Sequence, residues 1–213
     1  MSEFVRARRP EQKQQRREAI LAAARRLAAE SGVNNVSLGG VAAAVGLAKS
    51  NVVRYFGTRE EIYLELAGEG WREWRDAVVE RLDAGDDAVD TLAETLEARP
   101  LFCDLLSHDS ISLEHNASVA AAYDYKRIMV EVIGELGAAV ARARPPLTDG
   151  EGFELVVAAI GIVRLAYPAA HPSPTLIEVY KQHPDLAAAR PQFTRTVKRL
   201  LAATAAGLPT LRT

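Results

Sequence analysis

The chain has a single cysteine in 213 residues, only two tryptophans and two methionines, and aromatics at 6%. Cys103 alone cannot close an internal disulfide, which excludes a disulfide-stapled scaffold and suits a reducing cytoplasm. The N-terminal run MSEFVRARRPEQKQQRREA is too polar for a secretory leader. A long apolar run is missing as well. The nearest candidate, LVVAAIGIVRLAYPAA, is interrupted by Arg164 and Pro168. It falls short of the roughly 20 apolar residues that a membrane helix needs. No stretch sustains the alternation of a strand, and there is no internal repeat or low-complexity linker. What remains is ordinary globular material, 48% hydrophobic and 25% charged.

Charge is unevenly spread. Residues 1–59 carry 11 Lys/Arg against 4 Asp/Glu, a net +7, whereas residues 60–213 carry 15 against 24, a net -9. Asymmetry of this kind points to nucleic-acid contact in the basic part. A solvated basic helix gives the same count.

Alanine and leucine recur at helical spacing throughout, so the expected fold is all-α with nine or ten helices. Ile20, Ala23, Ala24, Leu27 and Ala28 mark an amphipathic helix over about 13–31, with Gly32 as its stop. Ser37 caps a second helix whose apolar face is Leu38, Val41, Ala42 and Val45. Gly39 and Gly40 inside it each cost about 1 kcal/mol against alanine, so tertiary support is needed. Gly46 supplies the next turn, and a third short helix runs from about 48 to Phe56. The stretch KSNVVRYFGTREE then turns from basic to acidic. A left-handed Gly57 is expected to end the third helix, and Thr58 with Glu61 to form a capping box that opens the fourth.

Downstream, a long helix is expected over about 59–82, a cap at Asp86 or Asp87, and punctuation at Pro100. One long helix over about 111–144 ends at Pro145 and Pro146. Thr148 and Glu151 make a second capping box, opening a helix that is apolar nearly all round up to Tyr167. Such a helix must be buried, in a core or against another subunit. Pro168, Pro172 and Pro174 mark a loop, and the last helices lie between about 175 and 207. The organisation expected is a DNA-binding domain over 1–58 and a larger helical domain over 59–213.

Two helices joined by a tight glycine turn, with a third before them, make the three-helix form of helix-turn-helix. A short helix enters the major groove only if one face is anchored and the other is small and polar. In LAKSNVVRYF, Leu47, Val52, Val53 and Phe56 are the anchors, leaving Lys49, Ser50, Asn51 and Arg54 for DNA. Asparagine reads adenine, arginine or lysine reads guanine, and serine contacts base edges or phosphate.

The segment ILAAARRLAAESGVNNVSLGGVAAAVGLAKSNVVRYFGTREEIYLEL resembles the DNA-binding domain of the tetracycline-repressor (TetR) family. The likeness covers about residues 13–66. It rests on Ala23-Ala24, Leu27, Gly32, Ser37, Val41-Ala42, the Val45-Gly46-Leu47 turn, Tyr55-Phe56 and the Thr58-Arg59-Glu60 helix start. The resemblance implies a homodimeric, non-enzymatic transcription repressor with no cofactor and no metal, working in the cytoplasm. It implies phosphate contacts at Ser37, Tyr55 and Arg59, and base-side contacts among Lys49, Ser50, Asn51 and Arg54. Ala48 stands where a serine cap is usual, Ser50 where glycine or alanine is frequent, and Val53 where a backbone-touching tyrosine is frequent. Arg6, Arg8 and Arg9 precede the first helix as an arm that adds electrostatic attraction to DNA.

The resemblance also implies a small-molecule effector, mostly apolar, held in the body. Trp71, Trp74, Phe102, Tyr123, Met129, Phe153 and Tyr167 are candidate lining, although plain core is the first reading of any one of them. Arg164, lone in an apolar helix, is expected to meet an acidic ligand group or a buried carboxylate. Gly68 and Gly70 permit either a bend or close helix packing. Dimerisation is expected through helix 148–167 and a last helix carrying Phe193, Val197, Leu200 and Leu201. Two other readings stay open. One is a DNA-binding regulator without an effector. The other is a helical metal-dependent enzyme built on His108, Asp109, Glu114 and His115, or on Cys103 near His108, for which no third catalytic group is visible.

Overall fold

The computed structural model describes residues 3–108 and 112–212, with residues 3–9 described by their backbone alone. Among the described residues there are eleven α-helices and no strand.

Helix α1, Glu3–Ser31, begins earlier than its apolar periodicity and runs through Pro10. After Gly32 and a 3-10 turn at Val33–Asn35 comes α2, Leu38–Ala44. Ser37 caps it, its hydroxyl accepting the Gly40 N–H at 3.0 Å. Gly46, with φ of +66°, makes the left-handed turn into α3, Lys49–Val53. Ile20, Ala24, Val41, Val52 and Phe56 close the core of this head.

The boundary at Gly57 differs from expectation. Gly57 is absent from the positive-φ glycines, which are Gly32, Gly46 and Gly85. Thr58 does cap α4, Arg59–Asp83, accepting the Glu61 N–H at 3.2 Å. The Glu61 carboxylate does not complete the box on Thr58. It takes the N–H of Gly57 at 2.9 Å and that of Ser118 at 3.0 Å. A distant segment therefore competes for the carboxylate that a local box would use.

In the body, Asp87 caps α5, Ala88–Glu97, and α6 spans Pro100–His108. The long helix expected from 111 begins only at Val119 in α7, Val119–Ala143, capped by Ser118. Helix α8, Asp149–Ala170, opens on the complete Thr148–Glu151 capping box. It continues through Pro168, so that residue lies in its last turn, where the expected loop had begun. At 22 residues α8 is long and apolar enough to cross a membrane, yet it packs against α7, α11 and α6. Gly152 allows the closest crossing: a Cβ there would stand 2.2 Å from the Gly137 carbonyl oxygen.

Helix α8 is not buried all round. Leu155, Val156, Ala159, Ile160 and Val163 point inward, while Phe153, Val157, Gly161 and Leu165 form an exposed stripe at four-residue spacing. Helices α9, Pro174–Gln182, and α10, Pro184–Ala187, bury no residue. The last helix, α11, Phe193–Gly207, spends Phe193, Val197 and Leu201 on its own subunit's core, and of the four residues expected at a dimer contact only Leu200 is exposed.

Candidate nucleic-acid interface and the body behind it

With five residues, α3 has room for one inward position per turn. Val52 is fully buried and Phe56, one turn on, nearly so. Leu47 packs half-buried beneath them. Lys49, Ser50 and Arg54 are exposed and Asn51 is half-buried, so the four side chains expected to read bases share one outward region. An Arg54 guanidinium N–H donates to the Asn51 side-chain oxygen. Val53 departs from expectation. It is 43% exposed, because 100° of helical rotation carries it off the face that Val52 anchors. The outward face therefore includes an apolar patch of the kind that meets a thymine methyl.

The expected phosphate contacts divide. Ser37 is exposed at the tip of α2 while its oxygen caps that helix. Tyr55 is half-buried at the seam between head and body. Arg59 turns inward. Its guanidinium donates to the Val36 carbonyl at 2.5 Å and to the Val33 carbonyl, pairs with Glu60 at 2.9 Å, and lies 4.9 Å from the Tyr63 ring centre. It braces α4 against the turn before α2. Arg6, Arg8 and Arg9 do not precede the first helix as expected: the backbone places them within α1, and their side chains lie outside the described residues.

A few polar links hold head to body. Arg17 of α1 forks onto the Glu65 carboxylate and stacks over Phe56, and Arg25 pairs with Glu69. Asp104 of α6 accepts the Val33 N–H at 2.8 Å and lies 3.4 Å from the His108 ring nitrogen. Burial alone pushes the Asp104 carboxyl up, but the hydrogen bonds from His108 and Val33 hold it below its ordinary value.

The body's aromatic candidates do not share one cavity. Trp71, Trp74 and Phe102 are closed into a cluster, with Trp71 and Phe102 edge to face at 5.3 Å. Its polar atoms are answered: the Trp71 indole donates to the Tyr125 hydroxyl at 3.2 Å, and that of Trp74 to Thr95 at 3.0 Å. Gly70 serves close packing, since a Cβ would stand 2.5 Å from the Phe102 ring. Tyr123 and Phe153 are surface residues, and Met129 is half-buried against the core. Tyr167 stacks on His171 at 4.2 Å, and burial pushes its hydroxyl above the usual range. Arg164 donates to the Leu106 carbonyl at 3.1 Å.

The residues of the metal or thiol alternative are also accounted for in part. His108 faces Asp104, Glu114 pairs with Lys126 at 2.8 Å, and Asp109 lies outside the described residues. Cys103 is buried against the Leu96 carbonyl, and burial pushes its thiol up to about 12, the opposite of an activated nucleophile. An open cleft of about 420 Å³ does exist elsewhere. It lies where α1 and the end of α3 meet α4 and α7.

Two family models cover the chain. Residues 20–66 match bacterial regulatory proteins of the tetR family, and residues 69–212 match the tetracyclin repressor-like C-terminal domain. No curated protein matches. Among solved structures, the chain is similar to the fatty acid degradation regulator FadR from Bacillus halodurans. That likeness has a TM-score of 0.57 at 14% identity and covers 89% of this chain and 98% of that one. It is also similar to RolR in complex with resorcinol, with a TM-score of 0.53 at 18% identity, covering 93% of this chain and 89% of that one. At such identities these likenesses speak for the fold. The helix-turn-helix head and the helical body each answer to their own half of one architecture, and the chain belongs to the tetracycline-repressor family of DNA-binding transcription regulators.

Proposed function

We propose that the protein is a repressor that binds a palindromic operator as a homodimer and is released by a small, largely apolar effector. The observation that carries the DNA part is the outward face of α3, where Lys49, Ser50, Asn51 and Arg54 surround Val53 above a buried Val52–Phe56 anchor. Ser37 and Tyr55 flank it as phosphate contacts, and Arg59 braces the head rather than reaching DNA. The working division is a head over 1–58 and a body over 59–213, with α4 as the shaft between them. For the dimer, the α8 stripe of Phe153, Val157, Gly161 and Leu165 and the exposed Leu200 of α11 supply an apolar face suited to a two-fold mate. Leu165 is 78% exposed in the single chain, which is costly for leucine unless covered. The shut Trp71–Trp74–Phe102 cluster favours a second reading, a regulator whose body only dimerises.

Selection of bound duplexes from a random library tests the central reading. The expected outcome is a palindrome whose half-sites are one helical turn or so apart. Asn51→Ala or Arg54→Ala should each cost roughly 1–3 kcal/mol on that site and relax specificity where the residue reads a base. Equal affinity for random and selected duplexes rejects it. Compound-induced release of the selected duplex separates the effector reading from the dimerisation-only one.

A further inference from the structure

An effector shifts a regulator between two states only by binding one of them better. The Trp71–Trp74–Phe102 cluster is a poor lever for this, being closed and entirely within the body. The 420 Å³ cleft is different, because its walls belong to both parts. The head contributes Tyr55 and Phe56, which directly follow the recognition helix, and the body contributes Leu64 of α4 and Ile128 of α7. Whatever fills the space sets the position of α3 against the body.

We propose that this cleft is the effector site, and that it takes a small amphipathic acid carrying a hydrogen-bond donor. The assignment rests on the effector reading above, and replaces its largely apolar ligand in the body with one that is charged at one end and sits at the seam of head and body. The floor is apolar, from Phe56, Leu64 and Ile128. Several of the charges around it are already answered. Arg17 is held by Glu65, Glu61 by the N–H groups of Gly57 and Ser118, and Arg127 faces Glu131 one turn along α7 at 3.5 Å. Arg72 and Asp124, on facing helices and exposed at the cleft's rim, have no hydrogen-bond or ion-pair partner among the described residues. Arg72 therefore supplies the site for an acid group, and Asp124 the acceptor for a donor at the other end. Tyr125 joins the wall to the body core through its bond from the Trp71 indole, so occupancy is felt on both sides. Seating a ligand presses on Tyr55 and Phe56 and moves the two heads off operator spacing.

The test uses the chain's sole cysteine to advantage. Cys103 is buried with its thiol pushed up to about 12, so a thiol reagent at pH 8 leaves the native protein unmodified. Ala121→Cys places a thiol in the cleft and Ala84→Cys places one on the exposed distal end of α4. Both are labelled with benzyl methanethiosulfonate, and affinity for the selected duplex is measured. The expected result is about tenfold or greater weakening for labelled Ala121→Cys and none for labelled Ala84→Cys. In parallel, 8-anilinonaphthalene-1-sulfonate, an aromatic acid with an N–H donor, is titrated by fluorescence. Arg72→Ala should weaken its binding about tenfold, and the Ala121→Cys label should block it. Native operator affinity in the labelled Ala121→Cys protein, or sulfonate binding indifferent to both changes, overturns the assignment. Failure of the unlabelled native protein to select any duplex instead overturns the regulator reading, and the cleft assignment with it.

Discussion

The head and the body solve opposite problems with the same helical material. The head packs the end of the long α1 against two short helices around Ile20, Ala24, Val41, Val52 and Phe56, and its outward face is polar around the exposed Val53. The body is built from long helices around two tryptophans, and satisfies even the indole N–H groups internally. Between them run discrete links: the Arg17–Glu65 and Arg25–Glu69 ion pairs, the Asp104 carboxylate on the Val33 N–H, the Glu61 carboxylate on the Gly57 N–H, and the Arg59 guanidinium on the Val33 and Val36 carbonyls. These links, each costing about 1 kcal/mol net to release, lie beside a hydrophobic core that runs through both parts, from Ile20 and Phe56 of the head to Ile62 and Tyr63 of α4.

The comparison breaks most severely if the body core is emptied. Trp74→Ala removes a fully buried side chain and strands the Thr95 hydroxyl arrangement beneath it. It should cost about 3–5 kcal/mol in denaturant unfolding. A cost below about 1 kcal/mol would mean that the cluster is loose, with room for a ligand after all.

What was legible in the sequence follows the same division. Head structure is local: a serine two residues before Gly39-Gly40, a glycine at 46, an anchor pair at 52 and 56. Each signal acts within a turn or two, so the three helices and their outward face could be read directly. Gly57 and Glu61 were misread because the carboxylate is claimed by Ser118, 57 residues on. Val53 was misplaced because a five-residue helix gives too little periodicity to fix which side is in. In the body the aromatic residues were visible as a supply. Nothing in their spacing tells that Trp71 meets Tyr125 and Trp74 meets Thr95, since those pairings are tertiary. The break before α7 carries one local signal, Ser118 at the cap position before Val119. Helix α8 reads as apolar nearly all round, and the sequence alone does not tell which of its faces meets the subunit's own core and which is left exposed as the Phe153–Leu165 stripe.

That face gives the next largest effect. Val157→Asp sets a carboxylate in the middle of the exposed α8 stripe, where the isolated subunit tolerates it and a mate does not. Burying an unpaired charge at an interface should cost about 3 kcal/mol or more, converting dimer to monomer at micromolar concentration by sedimentation. Operator affinity should collapse with it, while unfolding of the subunit changes little. Persistence of the dimer would move the two-fold contact off α8.

A smaller effect sharpens the head–body link. Asp104 sits below its ordinary value because its ionised form accepts from Val33 and faces His108, against the opposing cost of burial. A depressed carboxylate contributes stability above its unfolded value, near 3.8, and loses it as pH falls through the lower folded value. Asp104→Asn should therefore flatten the decline in stability between pH 5 and pH 3, and at pH 7 should cost about 1–2 kcal/mol. Hydrogen exchange at the Val33 amide should quicken in the variant while the α4–α7 core stays protected. An unchanged acid limb would mean that Asp104 does not titrate with folding.

The smallest effect separates two roles of one residue. Ser37 caps α2 through its bond from Gly40, and α2 carries two glycines that weaken it, so the cap matters more here than in an alanine-rich helix. Ser37→Ala should cost about 1 kcal/mol of stability. The same hydroxyl stands exposed at the helix tip, where the proposed dimer would present it to a phosphate. Ser37→Asp distinguishes the two. Aspartate caps as well as serine and is favoured by the helix dipole, so folding stability should stay within about 0.5 kcal/mol of native. A carboxylate facing a phosphate repels it, so affinity for the selected duplex should fall, and the loss should shrink as salt is raised. If stability and affinity fall together in Ser37→Ala but neither moves in Ser37→Asp, Ser37 only caps, and the phosphate contact belongs to another residue of the head.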